Sequence, residues 1–212
     1  EKFSRRGQNL KLANIVNKMF DKERLEACTS CKSKRLIKLD SYESHHLVKC
    51  KNCGLVFSNV KPELGEIDLV YSSYGREDYL SEVTIKRYNE LLDKFEKFRS
   101  TNRILDVGCG IGYFLEVAKE RGWEVYGTEF TDKAVEICKS KGIIMQKGGL
   151  EPEMWEEGFF DVITAIEVVE HLSEPSRDIE ILSKFLRKGG VFYITTPNFN
   201  SLSRKKQGVS WR

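Results

Sequence analysis

Apolar positions change their period along this chain, and each change marks an element. Between Leu10 and Leu25 they fall at Leu12, Ile15, Val16, Met19 and Phe20, the spacing of a helix that packs on a neighbour. From Cys28 to Ser58 four cysteines stand among Lys32, Lys34, Arg35, Lys38, Lys49 and Lys51, with Tyr42 and Phe57 as the aromatic residues. Val60 to Gly65, with Pro62 and Gly65, reads as a connector, and Tyr71 to Tyr79 is tyrosine-rich and polar without a period. Helical spacing returns from Glu82 to Phe98, at Val83, Ile85, Leu91, Leu92, Phe95 and Phe98. Strands and helices then alternate: strand 103–107, helix 112–121, strand 124–128, helix 132–141, strands 143–146 and 160–165, helix 176–187, strand 190–196. Such alternation predicts an α/β fold, a doubly wound, mostly parallel sheet with helices on both faces and ligands beyond the carboxyl ends of the strands.

Composition agrees with one medium domain plus a small appendage. At 212 residues, 40% hydrophobic and 32% charged, the chain has the make-up of an ordinary globular protein. The expected division is a helix in 1–25, a cysteine module in 26–60, a linker or lid in 61–81, and a ligand-binding domain in 82–212. No apolar run of about 18 residues is present, so no membrane-spanning helix is expected.

The segment Arg103-Ile-Leu-Asp106-Val-Gly108-Cys109-Gly110-Ile-Gly112 runs a buried-strand pattern into a glycine turn and then a helix. Such a loop brings backbone N–H groups and a helix N-terminus to one ligand. A dinucleotide fingerprint needs G-x-G-x-x-G, whereas here the spacing is Gly108-x-Gly110-x-Gly112, with Tyr113 where the last glycine belongs. Asp106, just before the loop, repels a pyrophosphate and suits a ligand carrying ammonium or sulfonium charge. Glu129 ends the next strand, 17 residues beyond Gly112, where a carboxylate accepts from both ribose hydroxyls. A turn without a ligand accounts for the glycines, with Asp106 as a cap of the turn, but leaves Glu129 unexplained. Cys109 is expected to contribute its backbone, and Cys138 to be a packing residue.

Cys28-x-x-Cys31 and Cys50-x-x-Cys53, with 18 residues between the pairs, have the spacing of a four-cysteine zinc site. Two disulfides are the alternative, but they leave Cys109 and Cys138 as free thiols, and the chain opens without a secretory signal pattern, so a reducing cytoplasm is expected. His45 and His46 lie between the pairs on a polar stretch and are expected to face solvent. A net charge of +3, from 35 basic and 32 acidic residues, is weak for a nucleic-acid protein. The cysteine module therefore reads as a substrate-side or docking module, with nucleic-acid contact as the alternative.

ILDVGCGIGYFLEVAKERGWEVYGTEFTDKAVEICKSKG, followed by FFDVITAIEVVEHL and GGVFYITTPN, resembles the class I S-adenosylmethionine-dependent methyltransferases, over roughly Glu82 to Asn200. The resemblance implies a Rossmann-like fold with an amino-terminal zinc ribbon, and S-adenosylmethionine and zinc as cofactors. It places Asp106, Gly108, Cys109, Gly110, Gly112, Glu129, Phe130, Gly149, Leu150, Ile166 and Glu167 around the methyl donor. His171, in Glu167-Val-Val-Glu-His171-Leu, becomes the candidate base. Members with zinc ribbons lay an aromatic segment over the cofactor, which makes Tyr74 and Tyr79 candidates. The acidic adenine contact usual in that family is absent after Gln146, where Lys147 and Gly148 stand. The implied acceptor is a small molecule, a sugar or nucleotide sugar of surface polysaccharide or secondary metabolism. An RNA acceptor gripped by the ribbon is the alternative, and a non-catalytic cofactor binder a third. The resembling fold continues past the fifth strand, so further sequence contributing acceptor contacts is expected beyond Arg212.

Overall fold

The structure, a computed structural model, describes residues 24–60 and 80–210. The predicted helix at 10–25 and the tyrosine-rich segment with Tyr74 and Tyr79 lie outside those residues, apart from Arg24 and Leu25. The chain divides into two compact units, one formed by Glu1–Pro62 and Phe199–Arg212, the other by Glu63–Asn198.

The smaller unit is built on a three-stranded antiparallel sheet in the order β1-β2-β3, with β1 at Leu36–Lys38, β2 at Leu47–Cys50 and β3 at Val56–Ser58. A 3-10 turn at Asp40–His45 joins β1 to β2 and buries Tyr42. The segment from Phe199, with the short helix Leu202–Gln207, groups with this unit. That grouping differs from the division expected from composition, which left those residues with the 82–212 domain. The physical reason is local: Phe199 sets its ring edge-on to Tyr42 at 5.4 Å, and Arg204 donates to the Tyr42 hydroxyl at 3.2 Å. No pattern in the sequence announces such contacts between residues 160 positions apart in round terms.

The larger unit is a five-stranded parallel sheet in the order β6-β5-β4-β7-β8. Its strands are β4 (Arg103–Val107), β5 (Glu124–Glu129), β6 (Ile144–Lys147), β7 (Phe160–Ile166) and β8 (Leu186–Thr195). The helices are α1 (Glu82–Phe95), α2 (Tyr113–Glu120), α3 (Asp132–Ser140) and α4 (Pro175–Phe185). Successive residues of β4 face opposite sides, so Ile104 joins the layer holding Leu92, Phe95, Phe114, Leu115 and Cys138, while Leu105 joins Ile181, Leu182 and Phe185. Helices α1 to α3 thus cover one face and α4 the other. The strand order reverses at β4, between β5 and β7, the place where open α/β sheets bind ligands. No helix among the described residues is long and apolar enough to cross a membrane.

The last predicted helix ends sooner than its sequence pattern, at Phe185, because Leu186 turns extended and Arg187 is drawn into the sheet. There the Arg187 guanidinium donates to Asp161 and to the carbonyl of Phe98. Asp161 is fully buried and also accepts the backbone N–H groups of Ser100 (2.8 Å) and Asn102 (2.7 Å). One carboxylate therefore ties the entry of β4 to β7 and β8. Burial alone raises its pKa, but Arg187 and these backbone donors outweigh burial and hold it below the usual range.

Asp161→Ala leaves a partly exposed guanidinium and two N–H groups without their carboxylate, and is expected to cost about 2–3 kcal/mol in urea unfolding. A loss under about 1 kcal/mol would refute the role. Because the folded-state pKa is depressed, the stability from Asp161 is present above roughly pH 4 and fades as acid carries the pH through its folded pKa; the variant lacks that acid-dependent component.

Candidate functional site

The glycine loop leaves β4 at Val107 and enters α2 at Tyr113, with Gly108, Gly110 and Gly112 at φ values of +63°, +55° and +80°. Left-handed backbone at three alternate positions explains why glycine recurs there. The end of β5 holds the loop. Gly108 N–H donates to the Thr128 hydroxyl (3.2 Å), Cys109 N–H to the Thr128 carbonyl (3.1 Å), and Gly110 N–H to Glu129 Oε2 (3.0 Å). The other oxygen of Glu129 accepts Phe130 N–H at 2.7 Å. Glu129 is 4% exposed, so its carboxylate is a fixed wall.

Asp106 is 5% exposed between the apolar Leu105 and Val107, and its Oδ1 accepts the Thr164 hydroxyl at 2.6 Å. Burial pushes its pKa up to about 7, the Thr164 hydrogen bond pulls it back, and the charge of Glu129 adds to the rise. The phenol of Tyr88 is raised by its own burial and by the charge of Asp106, which places α1 within electrostatic reach of the same carboxyl. A buried acid that ionises with difficulty gains most from a positively charged ligand.

The remaining strand ends add their parts. Gly148 N–H donates to the Glu129 carbonyl at 2.9 Å, and a methyl group on Gly149 would touch the ring of Phe130 at 4.0 Å, so the loops after β5 and β6 meet. Phe130 is 43% exposed. Leu150 is buried in the core, and its carbonyl accepts from Arg177 at 3.3 Å. Glu151 pairs with Arg177 at 2.9 Å and Lys147 with Asp132 at 2.6 Å. After β7, which ends at Ile166, Glu167 is exposed with φ +55° and donates its N–H to Thr195 at the end of β8. Val168 lies against Gly108, where a Cβ would come within 2.9 Å of it. His171 closes a 3-10 turn at Val169–His171 and is exposed.

Asp106, the glycine loop, Glu129, Phe130 and Gly149 are thus gathered at the carboxyl ends of β4, β5 and β6, with Ile166, Glu167 and His171 at the end of β7. Sequence reasoning missed Thr128 and Thr164, which hold the loop and Asp106; both act across strand pairs, and Thr164 stands opposite Asp106 only through the β4–β7 register. It also expected Cys109 to act through its backbone. The Sγ of Cys109 instead packs 4.0 Å from Cys138 Sγ and 3.9 Å from Met145 Sδ, over Gly127. This corrects the expectation: the glycine loop rests on its cysteine.

In the smaller unit, the Sγ atoms of Cys28, Cys31, Cys50 and Cys53 all lie within 4.8 Å of one another, with 3.6 Å between Cys28 and Cys53 and 3.5 Å between Cys31 and Cys50. Tetrahedral thiolates at a zinc–sulfur distance of roughly 2.3 Å stand about 3.8 Å apart, so the donor set fits that ion. The two turns match atom for atom. Lys32 N–H donates to the Cys28 carbonyl and Gly54 N–H to the Cys50 carbonyl, both at 3.0 Å, and Cys28 and Cys50 donate to the carbonyls of Ser33 and Leu55. Lys32 and Gly54 share left-handed φ values of +58° and +81°. His45 is exposed, with Ser44 at its Nδ1, and neither histidine joins the sulfurs.

A family profile described as "Methyltransferase domain" matches residues 77–212. With well over half of its length matched, the chain belongs to the methyltransferase domain family. Among curated proteins, it is 29% identical over 131 residues to the ubiquinone biosynthesis O-methyltransferase of Nitrosomonas europaea, covering 58% of this chain and 55% of that protein. It is 32% identical over 109 residues to the enzyme of the same name from Dechloromonas aromatica, covering 48% and 47%. The chain thus spans about half the length of these relatives. The crystal structure of PH0226 protein from Pyrococcus horikoshii superposes with a TM-score of 0.54 at 21% identity, over 67% of this chain and 71% of that one, a likeness of fold.

The glycines are not equivalent. A Cβ at Gly112 would lie 2.6 Å from Ile143 Cδ1 and 2.9 Å from Cys138 Sγ, both buried, whereas at Gly110 nothing lies within 4 Å. Gly110→Ala is expected to cost the backbone penalty of about 1–2 kcal/mol, and Gly112→Ala at least about 1 kcal/mol more through overpacking. Urea unfolding of both variants checks this; equal losses would contradict the packing.

Proposed function

We propose that this protein is an S-adenosylmethionine-dependent methyltransferase, with the donor held at the carboxyl ends of β4 to β7. The observation that carries the reading is the buried Asp106 beside a three-glycine loop whose far wall is Glu129. Asp106 supplies the counter-charge to the cationic methionine portion, Glu129 accepts from the ribose hydroxyls, and Phe130 with Gly149 and Leu150 borders the adenine. When bound, S-adenosylmethionine supplies a methyl group already activated by its sulfonium charge. The residues have to align donor carbon and acceptor, exclude water and take a proton where the acceptor carries one. His171 is the candidate for that last task, and Ile166 and Glu167 line the donor side.

We assign the acceptor to a small molecule, a sugar or nucleotide sugar, on the resemblance to zinc-ribbon methyltransferases. The names of the curated relatives point to methylation on oxygen. One observation favours an RNA acceptor as a second reading: residues 24–60 and 199–210 hold ten lysines and arginines against three acidic residues. Binding that falls steeply with salt would select that reading. Zinc on the four cysteines is proposed as the fold's staple, because a module this small cannot bury a sufficient core.

Titration of S-adenosylmethionine by calorimetry, with NAD as control, tests the reading. Micromolar binding of the first alone is expected, and no binding would overturn it. Asp106→Ala and Glu129→Ala should each weaken it tenfold or more, since each removes charge-assisted hydrogen bonds; unchanged affinity in both would sink the site. Asp106 titrates at about 7 in the free protein, so a cationic ligand drives a proton off it. Affinity should fall as pH drops below 7, and heats measured near pH 6.5 in buffers of different ionisation enthalpy should report proton release. The raised pKa also makes the unliganded protein lose stability as pH rises from roughly 4 through 7.

Cys50→Ser should release zinc and loosen the smaller unit, read by metal analysis and proteolysis. A variant that keeps stoichiometric zinc would count against four-thiolate ligation.

A further inference from the structure

Three residues of the glycine loop are tied to the end of β5, and two of its carbonyls are tied to a different element. Lys141, at the C-terminal cap of α3, donates from Nζ to the Ile111 carbonyl at 2.7 Å. Cys138, three residues earlier and on the same side of that helix, donates from Sγ to the Gly110 carbonyl at 3.3 Å.

Both contacts converge on Ile111. The 110–111 and 111–112 peptide planes flank its Cα, so holding the carbonyl of each restrains φ and ψ of Ile111 together. A trans peptide sets its N–H opposite its C=O, and the thiol that draws the Gly110 carbonyl towards α3 therefore turns the Ile111 N–H away from that helix. The N–H groups of Gly108, Cys109, Gly110 and Gly112 are spent on Thr128, Glu129 and the Cys109 carbonyl. Among the described residues the Ile111 N–H has no acceptor, and Ile111 is half-buried, so this donor is left for water or a ligand.

Lys141 is the stronger of the two ties. An ammonium donating at such a distance makes a charge-assisted bond, whereas a thiol is a weak donor. Glu116 of α2 answers its charge at 2.7 Å, and the ring of Tyr113 lies 4.8 Å beneath it, which leaves the lysine side chain 21% exposed. An ammonium so enclosed and neutralised has little to offer a ligand directly; what it sets is the loop.

We infer that Lys141 is a positioning residue for the methyl donor: assisted by Cys138, it fixes Ile111 so that the Ile111 N–H meets the donor's carboxylate, the end of the molecule that Asp106 and Glu129 repel. The inference rests on the donor site proposed above for its ligand, and on the α3 contacts alone for the conformation of the loop.

Calorimetry on the full chain compares S-adenosylhomocysteine with 5′-methylthioadenosine, which keeps adenine and ribose but lacks the amino-acid end. Lys141→Met is expected to weaken the first about tenfold and the second less than about twofold. Equal losses would mean general damage to the pocket, and no loss would mean a surface ion pair; either overturns the inference. So would a loss that vanishes at about 0.5 M salt, which marks a distant charge rather than a fixed loop. Amide exchange of the ligand-free protein, followed by NMR, gives a readout that needs no ligand. Gly112, whose N–H closes the turn around Ile111 on the Cys109 carbonyl at 3.0 Å, should exchange about tenfold faster in Lys141→Met while the amides of β7 keep their rates. Unchanged exchange at Gly112 would overturn the inference as well. If the wild-type protein binds neither nucleoside but Gly112 still loosens in the variant, the donor reading falls and the control of Ile111 by Lys141 stands.

Discussion

A carboxyl group buried at the end of the central strand is the constraint around which the larger unit is organised. Asp106 sits in β4 among Leu105 and Val107, where an unpartnered acid is costly, and a single hydroxyl from Thr164 answers it. That answer requires β7 to lie beside β4 in one register, and the register in turn carries Val168 over Gly108. Asp161 secures the opposite end of the same strand through Arg187 and the chain before β4. The strand is thus fixed at both ends by carboxyl groups of opposite character, one raised in pKa and ready for a cation, the other depressed and satisfied by protein donors.

Glu129 shows how scaffold and site share one side chain. It accepts from the N–H groups of Gly110 and Phe130, so the acid proposed for the ribose also sets the height of the glycine loop. Beneath the loop, Cys109, Cys138 and Met145 form a sulfur-rich floor that closes over Gly127, where any Cβ would collide. Polarizable sulfur fills such an irregular space well. The loop is therefore determined from above by hydrogen bonds and from below by packing.

The smaller unit follows a different logic. Its two cysteine turns repeat the same backbone hydrogen bonds, and the repeat brings four sulfurs together without help from a large apolar core. Lys32 accepts the left-handed conformation that Gly54 adopts more easily in the other turn. The cost of a side chain there is of order 1 kcal/mol, small beside what metal ligation supplies to such folds.

Local chemistry was legible from the sequence. The strand–glycine–helix passage, the acids at the ends of β4 and β5, the alternation of strands and helices, and the paired cysteines all depend on residues close in the chain, where spacing dictates geometry. Cross-strand partners were not legible. Thr128, Thr164 and the side chain of Cys109 matter because of neighbours 20 to 58 positions away, through a register that composition does not encode. The C-terminal segment at Phe199 and Arg204, read as part of the larger domain, joins the smaller unit through contacts with Tyr42. The sequence by itself determined which elements form and which acids, glycines and cysteines stand at their ends and turns, because backbone preference and side-chain type act over a few residues. Tertiary structure alone decided which of those residues meet, what their burial does to their charge, and which turns support one another, because those depend on distances that only the packed chain creates.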